Sequence, residues 1–185
     1  MEWDKILLAG LAGGVVLFIW NAIAWMAIKH HNSDFKRIPE SGAVADALAK
    51  SGVGAGMYML PHCDDFPGGV KNPAFAERYK KGPNATIIVA APGPCMTGST
   101  FGVGFLFCIF EALGGAILFR FADGYVAALP RAVGFGAGLG LLIHGIPHAA
   151  QATWARFPWS HAIKSGLDGL VGMALACLVF HFILV

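Results

Sequence analysis

The residues of this chain most able to do chemistry are its histidines, and they are unevenly distributed. The chain has seven histidines, and only His181 falls away from the segments expected to share one membrane face. The other six are His30, His31, His62, His144, His148 and His161. Imidazole nitrogen is a common ligand for zinc, copper and iron. This bias predicts a metal-binding region on one side of the protein.

Sulfur and carboxylate donors lie close to these histidines in the sequence. Cys63 follows His62 directly and precedes two aspartates, while Met57, Met59 and Met96 are nearby. Thiolate and thioether sulfur favour copper or zinc, and carboxylates complete many zinc sites. The polar part of the chain therefore supplies donors that match those of the histidines.

His144 and His148 are four residues apart, a spacing that places two side chains on one helix face, although Pro147 can kink that turn. The bound group would be copper, zinc or haem. The chain has no HExxH or CxxC motif, so the alternative interpretation is that these are interfacial side chains. The candidate metal ligands are His30, His31, His62, Cys63, His144 and His148.

A second group of polar side chains falls inside apolar runs. At about 1.5 Å of rise per residue, Asn21, Glu111, His144 and Asp168 lie at similar depths in four different runs. An ionisable group at the bilayer centre costs about 2.5–3.5 kcal/mol on insertion scales, so we expect these groups to face inward and meet. The cluster is either a proton relay or ion site, or a hydrogen-bonded group that fixes helix register.

The four cysteines fall into two pairs. Cys108 and Cys177 lie in apolar runs and are expected to be inert core thiols, whereas Cys63 and Cys95 lie in the long polar segment. The second pair predicts a disulfide, which would place that segment in an oxidising compartment.

No motif predicts catalysis or nucleotide binding. Gly102 and Gly104 precede no strand-loop-helix phosphate site, and no Ser-His-Asp or Cys-His arrangement is evident. The net charge of +2 gives no basic patch for nucleic acid. We therefore predict no catalytic residue, no nucleotide and no nucleic-acid partner.

The elements that position these residues are membrane helices. Hydrophobic residues make up 56% of the chain and charged residues only 13%, against about 25% charged in soluble domains. The first apolar run is longer than a signal-peptide core and lacks a basic start, so we predict a retained span. The predicted spans, each long enough to cross a bilayer, are Ile6–Ile28, Phe101–Phe119, Arg131–Ala150 and Ala162–Leu184.

The predicted fold class is an all-α membrane protein, a four-helix transmembrane bundle forming a single membrane domain over residues 1–185. A small mixed α/β extramembrane cap, Lys29–Gly98, lies between spans one and two. Within it, Gly56–Leu60 and Ala85–Ala91 are predicted to pair as a ribbon. Gly10 and Gly14 form a small-xxx-small pair, a packing face for another helix.

The stretch Leu141–Val171 shows how the spans are connected. An apolar run ends in two histidines, an aromatic turn follows, and a second apolar run carries Asp168. Four spans place both termini on one side of the membrane and the cap on the other. The numbers of Lys and Arg residues on the two sides are nearly equal, so charge does not indicate the orientation. The predicted disulfide decides it instead, and we predict a periplasmic cap and cytoplasmic termini.

The order of these motifs resembles a known group of proteins. Trp25 and His30-His31-Asn32 end the first span, Pro39-Glu40 and Pro92-Gly93-Pro94 follow, and Phe157-Pro158-Trp159 precedes the span with Asp168. This is similar to a widespread group of small, uncharacterised four-span bacterial membrane proteins. The resemblance implies a bacterial inner-membrane location and brings no catalytic assignment.

Three functions are consistent with the sequence. The first is a non-catalytic accessory or assembly subunit of a larger membrane complex, suggested by small size and glycine-lined helices. The alternative is a metal- or haem-binding membrane protein for electron transfer or copper handling. The third is a small proton-coupled carrier that uses Glu111 and Asp168. The expected partners are the lipid bilayer and other membrane subunits or a second copy of the chain.

Overall fold

The computed structural model describes residues 2–69 and 71–185. The chain divides into two compact units. The first comprises the chain up to Lys36 together with Met96–Val185, and the second is Arg37–Cys95.

The first unit contains four helices long and apolar enough to cross a membrane, which confirms the predicted four spans. Each helix extends a few residues beyond the apolar run that predicted it, because polar and aromatic residues at the interfaces continue the helical hydrogen bonding. The protein is therefore a multi-pass membrane protein. The spans are Trp3–Ile28, Gly98–Phe121, Leu129–Trp154 and Trp159–Leu184.

Two of the spans change helical pitch along their length. Span one consists of α1 (Trp3–Ala22) and a π-helical segment (Ile23–Ile28). A 3-10 turn (His30–Asp34) follows, after Lys29 takes a left-handed backbone conformation with φ of 58°. Helix α5 (Gly98–Phe121) is span two. Span three consists of α6 (Leu129–Gly140), a second π-helical segment (Leu141–Gly145) and α7 (Ile146–Trp154), and span four is α8 (Trp159–Leu184). Such π-helical segments are frequent at functional sites.

Helix α8 packs on both α1 and α6, and α1 in turn packs on α5. Glycines permit these close approaches. A side chain at Gly10 or Gly14 would meet Leu113 or Ile109 of α5, so the predicted packing face is occupied by that helix. The core between the helices is filled by large buried side chains, including Phe119, Phe180 and Met173.

The second unit is small and mixed. It contains α2 (Ser41–Lys50), β1 (Gly56–Leu60), α3 (Phe66–Gly69), α4 (Pro73–Lys81) and β2 (Ala85–Val89). The strands pair antiparallel in the register Gly56 to Val89 and Leu60 to Ala85, as the sequence predicts.

The boundary of the polar segment differs from the prediction. The predicted cap begins at Lys29, but the chain through Lys36 belongs with the helices. The physical reason is that His30, His31 and Asp34 hydrogen-bond to side chains of α8. These residues are consequently part of the bundle.

Candidate metal centre

His31 lies at the centre of the polar cluster at the end of span one. The π-helical segment and the left-handed Lys29 turn the chain so that the 3-10 turn directs His31 inward, where only 1% of the residue is exposed. The Trp25 ring stacks on the imidazole at 4.1 Å between centroids and 10° between planes. Stacking and burial together fix the orientation of the ring.

Both nitrogens of His31 face carboxylates. Nδ1 lies 3.0 Å from Oδ2 of Asp34, and Nε2 lies 2.8 Å from Oδ2 of Asp168 on α8. Ionised carboxylates only accept hydrogen bonds. The ring therefore satisfies both partners when it carries two protons, or when a cation replaces the proton on Nε2.

His30 approaches the same carboxylate oxygen. Its Nε2 lies 3.1 Å from Oδ2 of Asp168, while its buried Nδ1 has no hydrogen-bond partner among the described residues. Trp20 Nε1 donates to the backbone oxygen of Asp168 at 2.9 Å and so ties α8 to span one at this level. One ligand atom from each of His30, His31 and Asp168 lies within 4.8 Å of the others.

These separations are close to those of a metal centre. Zinc bonds of about 2.0–2.1 Å in a tetrahedral site place ligand atoms about 3.3 Å apart. The observed distances of 2.8 and 3.1 Å from the Asp168 oxygen to the two imidazoles would need to lengthen by only a few tenths of an ångström. The spacing of these donor atoms is thus compatible with a small divalent cation.

Asp34 forms the outer layer of this cluster. Its side chain is only 3% exposed and accepts hydrogen bonds from Lys164, Ser160 and His161 at 2.7, 3.1 and 3.3 Å. Burial alone would raise the pKa of Asp34, but the hydrogen bonds from Lys164, His31, Ser160 and His161 hold it well below its usual range. Asp34 is therefore a carboxylate that fixes the orientation of His31, as outer-layer carboxylates do for metal-bound histidines.

A second group, His31 with Asp34 and His161, also brings its donors within 4.8 Å. Here the Lys164 ammonium already lies 2.7 Å from Asp34 and donates to the His30 carbonyl at 2.8 Å as well. A second cation beside this ammonium would be repelled. Of the two groups, His30, His31 and Asp168 are therefore the better candidate ligand set.

No family model, curated protein or solved structure matches this chain. The assignment of the site accordingly rests on its geometry.

The residues of the predicted intramembrane cluster are distributed over three separate contacts. Nε2 of His144 lies 2.7 Å from Oε1 of Glu111, and Asn21 Nδ2 donates to Cys108 Sγ at 3.6 Å. Asp168 instead contacts His30 and His31. The sequence shows how deep each residue lies along its helix, but not the direction in which its side chain points around the helix axis. That direction decides which of these groups meet.

The predicted metal ligands are also distributed over several places. His148 donates from Nδ1 to the His144 carbonyl at 2.7 Å and packs its ring 5.4 Å from that of His161. His62 and Cys63 belong to the second unit, where they bond Asp64 and the Asp65 carbonyl. Of the predicted ligands, the structure brings His30 and His31 together with a carboxylate.

Asp34 and Asp168 complete the cluster, and neither of them is among the metal ligands that the sequence predicts. A signal was present, because His161, Lys164 and Asp168 recur at helical spacing on one face of α8. Asp34 is likewise three residues after His31. Two short-range patterns thus pointed to one cluster.

The predicted disulfide is not formed in the structure. Cys63 is half-buried and Cys95 is exposed, and both are free thiols. The orientation inferred from that disulfide therefore loses its main support.

Proposed function

We propose that this protein is a metal-binding membrane protein that holds one divalent transition-metal ion between His30, His31 and Asp168. The observation that carries the proposal is the convergence of two imidazoles on one carboxylate oxygen at 2.8 and 3.1 Å. Ligands from the end of span one and from α8 then meet at a single point. The ion would hold these two helices together and supply a reactive centre.

The main alternative is a hydrogen-bonded ion network in which a doubly protonated His31 replaces the metal. One feature favours the metal. The Asp34–His31 contact is the arrangement that orients a metal-bound histidine.

The donor set narrows the choice of metal. Imidazole with carboxylate suits zinc, iron(II) or copper(II), whereas sulfur donors would be needed to favour copper(I). Three protein ligands leave one position for water or a substrate, as in catalytic zinc sites. Zinc is the first ion to test.

The test is the metal content of the full-length protein, purified gently in mild detergent and measured by plasma mass spectrometry. We expect a near-stoichiometric metal that is lost in His30→Gln and in Asp168→Asn. His30 is the more informative site because its side chain is 25% exposed and has one hydrogen-bonding contact through the ring, so the fold should survive. His181→Gln, at the far end of α8, is the matched control.

Two results would overturn the proposal. One is a well-folded wild-type protein that stays metal-free after dialysis against zinc, iron(II) and copper(II). The other is full metal retention in His30→Gln and Asp168→Asn.

The accessory-subunit and carrier functions stay predictions, since none of the contacts favours either of them over metal binding. A bacterial inner-membrane location is likewise part of the proposal, whereas cytoplasmic termini stay a prediction from the sequence. Reporter fusions after Val185 would test the orientation.

A further inference from the structure

Strand β1 places two methionines on one face of the small sheet in the second unit. Alternate residues of a strand share a face, so Met57 and Met59 lie side by side and pair with Ile88 and Thr86 of β2. They are 74% and 44% exposed. Their thioether groups are therefore accessible from solvent.

The chain then brings two further donors to the same face. Met57, Met59, His62 and Cys63 line one cleft of about 350 Å³, together with Tyr58 and Thr86. Cys63 is a free thiol that donates to the Asp65 carbonyl at 3.2 Å. His62 bonds Asp64 through Nε2 at 3.2 Å, which leaves its Nδ1 for another partner.

We propose that this cleft binds a single copper(I) ion through the thioethers of Met57 and Met59 and the thiolate of Cys63, with His62 as the fourth donor. Soft sulfur ligands select copper(I) over harder divalent ions. On binding, the Cys63 thiol loses its proton to solvent, the hydrogen bond to the Asp65 carbonyl breaks and a sulfur–copper bond forms. Copper keeps its oxidation state throughout.

The site is independent of the metal centre in the bundle. Its donors are mainly sulfur, whereas His30, His31 and Asp168 offer nitrogen and oxygen only. A competing interpretation is that Met57, Met59 and Ile88 form an apolar docking face. That face would need hydrophobic side chains only and would not place a thiol and an imidazole in the same cleft, which favours the copper site.

The experiment is an anaerobic copper(I) titration of the full-length protein in detergent, in competition with bicinchoninate. The test variants are the double variant Met57→Leu/Met59→Leu, which keeps the face apolar, and Cys63→Ser. Matched controls are Met96→Leu and Cys95→Ser, since Met96 and Cys95 are exposed and lie outside the cleft.

We expect one copper(I) ion per chain in the wild type and in both controls. Loss of ligands should reduce the affinity by more than the roughly 10- to 100-fold that removal of an outer-layer partner costs. The Met57 and Met59 methyl resonances should also shift on copper addition. His30→Gln should keep full copper(I) affinity, so the outcome is separate from that of the divalent site.

Three results would refute the copper site. Unchanged affinity in the double methionine variant would show binding by a lone thiol. Equal losses in Cys63→Ser and Cys95→Ser would show non-specific thiol capture. No copper(I) binding by the wild type would leave the apolar docking face as the remaining interpretation.

Discussion

Asp34→Asn is the substitution that tests the polar cluster most directly. It keeps the shape of a side chain that is 3% exposed but removes the charge facing Lys164 at 2.7 Å. The new amide also presents donor hydrogens towards groups that already donate. Removing one partner of a buried pair typically costs about 3–5 kcal/mol. We expect the free energy of unfolding to fall by an amount near the lower end of that range, because Lys164 is 20% exposed and keeps other partners.

The stability lost in Asp34→Asn should depend on pH and should become smaller in acid. The folded-state pKa of Asp34 lies below its ordinary value because hydrogen bonds from Lys164, His31, Ser160 and His161 outweigh the opposing effect of burial. The carboxylate therefore contributes stability that is fully present above about pH 4, the unfolded pKa. That contribution is lost as the pH falls further towards the folded pKa. The difference between wild type and Asp34→Asn should thus shrink below about pH 4.

The assay is the free energy of unfolding in detergent between pH 3 and 7, with bound-metal affinity measured in parallel at pH 7. We expect the metal affinity to fall about 10- to 100-fold, because His31 loses the carboxylate that orients it. Asp123→Asn is the control, since Asp123 is exposed and, among the described residues, its carboxylate accepts hydrogen bonds from Arg120 and the Gly124 backbone N–H only. A pH-independent difference, or equal effects of the two substitutions, would refute the account of Asp34.

Further predictions concern the packing of glycines between helices and the contact between Glu111 and His144. Gly140→Ala should destabilise the bundle by about 1–3 kcal/mol, because a methyl group there overlaps the backbone of α8. Gly138→Ala is the control and should be near neutral, because a methyl group there meets open space. Thermal melts in detergent compare the two variants. Glu111→Gln should lower thermal stability through its contact with His144 but leave metal content unchanged, and a lost metal would contradict the assignment.

The spans were predictable because the bilayer imposes a length and an apolar composition on each helix, and both can be counted along the sequence. The ribbon was predictable for a similar reason, since β-branched residues in Ala85–Val89 favour an extended chain. The pairing of side chains between helices was harder to predict. It depends on the direction in which each side chain points around its helix axis. In span one this direction shifts at the π-helical segment, because a π-helix has more residues per turn than an α-helix and so changes the direction of the residues that follow.

The candidate site illustrates this limit. A uniform α-helix through Ile28 would continue past His30 and His31 with a period of 3.6, and adjacent histidines would then point about 100° apart. Instead, the left-handed Lys29 and the 3-10 turn direct both imidazoles at Asp168, with their rings only 4.4 Å apart. A left-handed non-glycine residue carries a cost of order 1–3 kcal/mol. The hydrogen bonds from Lys164 to the His30 carbonyl and to Asp34 lie within five residues of it and offset that cost. The irregular backbone and the α8 contacts therefore depend on each other, and the convergence of two histidines on one carboxylate exists only when both are present.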